Sequence, residues 1–259
     1  MNNFSSFLAK EWHENLRTKR VLVLSCVFLL VAISTPLMTR FMGEFMAMFI
    51  TDTDEITQAL VTAFGNLGWR DSYAQFYSQL DLVLFGIIFM YMGIISREIS
   101  SGTASLLFSK GLGFWSFTLA KLAMAHALLA VITMVSVLVA HLYTVILFEE
   151  GGAIGDVLYG GAVFCVGLLV LVAIIMFCSA QTKSSAVSGG MAVGIYFAMM
   201  LLSAIPNIGR FSPINLFRYP IAISAGYQVE DMWAAFLAGV IAIVVALFFT
   251  VRGLRRAEG

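Results

Sequence analysis

The histidines and cysteines are the first side chains to test for chemistry. His126 and His141 share one apolar run, about 22 Å apart at the helical rise per residue, so a single helix cannot bring both to one metal. Intramembrane histidines are candidates for a transport role; a hydrogen bond to a neighbouring helix is the simpler use. Cys26, Cys165 and Cys178 fall inside apolar runs, where a thiol acts as a small hydrophobe and no disulfide framework is expected. The chain has no GxxxxGK[ST] phosphate loop, no HExxH helix and no GxSxG elbow. No acid–base set clusters at one depth, so an intramembrane enzyme is disfavoured. The chain itself is expected to bind no cofactor or metal and to catalyse no reaction.

The residues that remain lie between two apolar runs, in REISSGTASLLFSKGLGFWSFTLAK, residues 97–121. Arg97 and Glu98 end one run, and Lys121 opens the next. Gly102 interrupts a regular helix near its start. Beyond it, Ile99, Thr103, Leu106 and Leu107 fall on one apolar face, with Ser100, Ser101, Ser105 and Ser109 mostly elsewhere. A short helix along the inner membrane surface, its polar side toward the cytoplasm, would serve as a docking element. An ordinary interfacial loop is the alternative.

The elements that must hold this segment are membrane spans. The chain is 60% hydrophobic and 12% charged, with mean hydropathy +0.93. Soluble domains carry about twice that share of charge, roughly a quarter of residues. Apolar runs at 21–39, 82–96, 122–148, 158–180, 187–205 and 232–251 predict six transmembrane helices, since about 20 apolar residues cross the hydrocarbon. The run at 82–96 is short and needs its flanks. The first run follows a long polar stretch and lacks a small-residue cleavage site, so it is read as a span rather than a signal peptide. The expected fold is all-α integral membrane, a single transmembrane domain over residues 1–259.

Charge sets the expected orientation. With both termini cytoplasmic, the inner segments hold Lys10, Arg17, Lys19, Arg20, Arg97, Lys110, Lys121, Lys183, Arg252, Arg255 and Arg256. The outer segments hold Arg40, Arg70, Arg210 and Arg218, and most of the acids, Asp81 included. That is the positive-inside pattern. The acidic outer face is read as a solvated rim, with attraction of cationic ligands as the alternative.

Four further segments stand out. Residues 1–20 read as an amphipathic helix on the inner membrane surface, with Phe4, Phe7, Leu8, Trp12 and Leu16 at helical spacing. Residues 40–81 form the largest outer segment, a lid with a helix starting at Thr53, breaking at Gly65, Asn66 and Gly68, then leading into span 2 through Tyr73, Phe76, Tyr77 and Leu80. Ala186, Gly190, Gly194 and Ala198 stand four apart on span 5, a spacing that lets helices approach closely; intramolecular contact is preferred, with a dimer seam as the alternative. In 206–231, Pro206, Pro213 and Pro220 predict short helical pieces at the outer surface that dip into the membrane. Phe89, Met90 and Tyr91 of span 2, with Tyr196 and Met199 of span 5, are candidates for a substrate path, with ordinary helix contact the simpler reading.

These pieces resemble ABC-2 type transporter permeases, the membrane subunits of bacterial ABC exporters. The likeness lies in Glu98, Gly102-Thr103, Leu106-Leu107, Ser109-Lys110 and Lys121, in the N-terminal KEWHENLRTKR, and in SPINLFRYPIAISAG before the last span. It covers nearly the whole chain. Gly111-Leu112-Gly113 departs from the Pro-Val-Ser type turn common there. The resemblance implies six helices per half, an N-terminal interfacial helix and a cytoplasmic coupling helix. It implies a second permease half, identical or homologous, and two copies of a separate ABC ATPase that carries ATP and Mg. It also implies that Arg97, Glu98, Ser101, Gly102, Thr103, Ser105 and Lys110 meet that ATPase. The expected activity is export of a hydrophobic or amphipathic substrate across a bacterial plasma membrane. The alternative is an ATPase-coupled sensor or assembly subunit that moves nothing. Membrane lipid is an expected partner and nucleic acid is not.

Overall fold

A computed structural model describes residues 7, 11, 19–49 and 62–258. The remaining positions of the N-terminal segment, and Thr53 with its proposed helix, lie outside the described residues. Six helices are long and apolar enough to cross a membrane. Helix α1 is Lys19–Phe49 and α2 is Trp69–Tyr91. Two short helices, α3 (Ser96–Ser100) and α4 (Thr103–Ser109), precede α5 (Phe114–Phe148). Then come α6 (Ile154–Ala180), α7 (Ser185–Ser203), a 3-10 turn at Gly209–Phe211, α8 (Asn215–Ser224) and α9 (Met232–Glu258).

The helices outrun the apolar stretches. Residues 40–49 continue α1, and residues 69–81 are the first half of α2, so much of the expected outer lid belongs to the spans' own helices. An apolar-run criterion stops at a charge, whereas a helix ends only where its hydrogen bonds are broken or capped. The break near Gly65 is where expected: Asn66–Gly68 separate a short helical turn from α2. The Gly68 N–H then donates to Asp71 Oδ2 at 2.8 Å, capping α2.

Helix α6 is the axis of the bundle. It touches α2, α5, α7, α8 and α9, while α1 packs on α2 and α5. Lipid offers α6 no hydrophobic penalty, so its position depends on close contact. Gly167, the midpoint of α6, supplies that contact. A Cβ there would sit 2.8 Å from the Phe217 ring of α8, too close to exist. Phe217 therefore reaches about 20 Å along α6 from its start. Pro213 and Pro220 keep this segment to short pieces, and α8 carries Pro220 inside its ten residues.

Nine charged or basic positions gather at one end: Lys19, Arg20, Arg97, Lys110, Lys121, Lys183, Arg252, Arg255 and Arg256. We call it the basic end. The start of α5, the end of α9 and the whole of α3–α4 sit there.

Candidate functional site

The segment 97–121 begins at a helix that is broken on purpose-built contacts. Helix α3 starts at Ser96, and the backbone N–H groups at its start have no helical acceptors. Ser179, near the end of α6, accepts from the Ile95 N–H at 3.0 Å and from the Ser96 N–H at 2.9 Å. Ser96 Oγ lies 3.2 Å from Ser185 Oγ, at the start of α7. Gly102 then separates α3 from α4 with φ of 72°, a left-handed conformation that favours glycine. Its surroundings leave open space for a side chain, so the backbone angle, not room, selects glycine.

Lys121 is the second anchor. Its Nζ is 3.0 Å from Glu11 Oε1, 3.2 Å from Glu11 Oε2 and 2.9 Å from Glu98 Oε1. The ammonium also stands 5.2 Å from the centre of the Phe117 ring and 6.0 Å from that of Phe7. The Lys121 side chain is 4% exposed, against 6% for Glu11 and 13% for Glu98. One buried cation therefore joins the N-terminal segment, the root of α3 and the first turns of α5. Two carboxylates face one ammonium, and Glu98 Oε2 is buried with no hydrogen-bond partner.

Aromatic rings fill the space around it. Phe7 stacks on Phe117 at 5.5 Å, Phe108 meets Phe117 edge-on at 5.3 Å, and Phe108 lies 4.3 Å from Phe114. Phe108 is on α4, so the short helix rests on a ring cluster at the start of α5. The Arg255 guanidinium, from α9, stands 5.9 Å from the Phe114 ring centre.

What this end presents outward differs in detail from the sequence reading. Arg97, Ser101, Ser105 and Lys110 are exposed, and Gly102 and Thr103 are half-exposed. Glu98 points inward to Lys121. Leu106, expected on the buried face, is 63% exposed, while Ala104 is fully buried. The helical phase restarts at Gly102, so the apolar face counted from Ile99 does not carry across it. Glu11 and Ser179 were not found from sequence. The available signal was charge: Lys121 and Glu98 border apolar spans and each needs a counterion there.

The path candidates differ in their exposure. Phe89 is 58% exposed on the outside of α2, Met90 is half-buried beside it, and Tyr91 is buried in the core. Tyr196 is buried against Phe85, ring centres 5.2 Å apart, and the Met199 carbonyl accepts from Ser212 Oγ at 2.7 Å. Asp81, read as an outer acid, lies inside α2, about 18 Å from its start. One of its buried carboxylate oxygens has no hydrogen-bond partner, and Arg218 of α8 acts on it electrostatically. An ionisable group at that depth is a functional candidate.

The small-residue stripe is bare. Ala186, Gly190, Gly194 and Ala198 are all exposed, and a Cβ at Gly190 or Gly194 would meet nothing. The preferred intramolecular use of this stripe is therefore not what the chain does with it. Gly86 is likewise open on α2, between exposed Leu82 and Phe89. His141 Nδ1 lies 2.7 Å from the Tyr73 hydroxyl, a bond between neighbouring helices, while His126 Nδ1 is buried without a partner. Among the described residues no three His, Cys, Asp or Glu side chains are grouped to hold a metal.

Six apolar helices with a tightly held segment between the second and third define a multi-pass membrane protein. The chain belongs to the ABC-2 family of transporter proteins, whose model matches residues 6–257. It is thus a permease-type subunit, not itself catalytic, that partners an ABC ATPase. No curated protein matches its sequence.

Proposed function

We propose that the chain is one permease half of an ATP-driven exporter of hydrophobic or amphipathic molecules. The basic end, with both termini, faces the cytoplasm of a bacterial cell. The complex holds two copies of a separate ATPase, which carry the ATP and Mg, and one copy docks on α3 and α4 of each half through Arg97, Ser101, Thr103, Ser105, Leu106 and Lys110. The observation that carries this reading is the fastening of that segment. Force applied to α4 has stiff routes into α6 through Ser179, into α7 through Ser185, and into α5 through Lys121. A loose surface loop would dissipate it. Transport follows if the two nucleotide states favour different helix arrangements.

The second half, identical or homologous, packs on the bare face of α2 and α7. Gly86, Gly190, Gly194 and Ala198 are open there, which supports close helix approach. Phe89 and Met90 then border the seam, so the path runs between halves rather than through one. Affinity capture of the full chain from mild detergent, read by mass spectrometry, tests the reading. A stoichiometric P-loop ATPase, with ATP turnover in vesicles raised by an exported amphipath, is expected. An ATPase whose turnover no amphipath changes supports the sensor function instead, and capture of no ATPase overturns both.

A further inference from the structure

We propose that the groove between the start of α5 and the end of α9 binds an anionic phospholipid. The groove has a volume of about 290 Å³ and is lined by Trp115, Phe248, Val251, Arg252 and Arg255. Phe248, Arg252 and Arg255 follow the four-then-three spacing that puts them on one face of α9. Both arginines are exposed, and neither pairs with a carboxylate among the described residues. Two guanidiniums one turn apart present parallel donors that suit phosphate oxygens.

The apolar part selects a lipid over a free anion. Trp115 is 43% exposed and Phe248 is 53% exposed, an aromatic pair at the level where indole rings favour the membrane interface. Deeper along the same helices Leu119, Val244 and Val245 are also exposed. Val244 lies about 12 Å below Arg252 at the helical rise. A ligand that satisfies both parts carries phosphate at one end and acyl chain at the other. A docked soluble protein would reach the arginines but not this flank. Basic residues beside a span attract anionic headgroups in the same way.

This proposal rests on the chain's membrane placement and not on the exporter reading. Arg255 also stands over Phe114, whose ring touches Phe108 of α4, so the lipid occupies a place next to the docking segment.

The test uses the full chain in nanodiscs and in detergent, with phosphatidylglycerol and phosphatidylcholine as probes. Native mass spectrometry counts the lipids retained. Wild type should retain phosphatidylglycerol over phosphatidylcholine. The R252Q/R255Q double variant should lose roughly 30-fold of that preference, at about fivefold for each arginine near an anionic surface. Its thermal unfolding in phosphatidylcholine should match wild type. A K183Q/R256Q variant, altered at the other basic cleft of this end, should keep the preference. Equal retention of the two lipids overturns the proposal. So does a preference that survives R252Q/R255Q, and so does displacement of the lipid by millimolar inorganic phosphate, which would mark a plain anion site.

Discussion

Replacing Lys121 with methionine should be among the most damaging single changes in this protein. The substitution keeps the length of the side chain but takes the ammonium away from two carboxylates. Glu11 is 6% exposed and Glu98 is 13% exposed, so water cannot take over the role of the ammonium. Removing one partner of a buried ion pair costs about 3–5 kcal/mol, because the remaining charge stays desolvated. At about 2–4 °C per kcal/mol for a chain of this size, the unfolding midpoint should fall by roughly 6–20 °C. The assay is tryptophan fluorescence on heating, with the full chain in detergent. The knot also dictates an order among its members. Glu98→Gln should cost least, within about 1 kcal/mol, because it leaves the buried Lys121–Glu11 pair intact. Neutralising all three positions together (E11Q, E98Q and K121M) should recover most of the loss, since an uncharged site carries no desolvated ion. A K121M midpoint within about 2 °C of wild type would refute the reasoning, as would a triple variant no more stable than K121M alone.

Ser179→Ala leaves the buried N–H groups of Ile95 and Ser96 without an acceptor; it should cost about 1–3 kcal/mol for each and speed hydrogen exchange at both amides. Gly167→Ala drives a methyl into the Phe217 ring, so it should destabilise by about 1–3 kcal/mol, with recovery when Phe217→Leu is added; thermal unfolding reads both. Gly102→Ala has room but the wrong backbone angle, and should cost about 1–2 kcal/mol while weakening capture of the ATPase. Gly194→Cys should cross-link two copies in membranes under mild oxidation if the second half is identical, and a cysteine at buried Ala192 should not; equal cross-linking at both positions refutes the seam.

The sequence by itself determined the class of the fold. Six apolar runs, the bias of Lys and Arg to one set of loops, and the Gly102-Thr103 break are local or additive properties. They survive whatever the helices pack against. Ends were harder to read: α1 runs on through Arg40 and Glu44, and α2 begins twelve residues before Asp81 is passed, because a helix tolerates charges that a hydropathy sum counts as a boundary. The site was legible as a segment and not as a mechanism. Lys121 meets a residue 110 positions away, and Ser179 caps a helix break 84 positions away. Only the tertiary structure decided those pairings, because they depend on the rotational phase of each helix about its own axis. A span as uniformly apolar as α6 encodes that phase only weakly in its residue pattern. The same holds for the stripe Ala186, Gly190, Gly194 and Ala198. Its spacing says that something can approach closely, and only the bundle leaves that face uncovered.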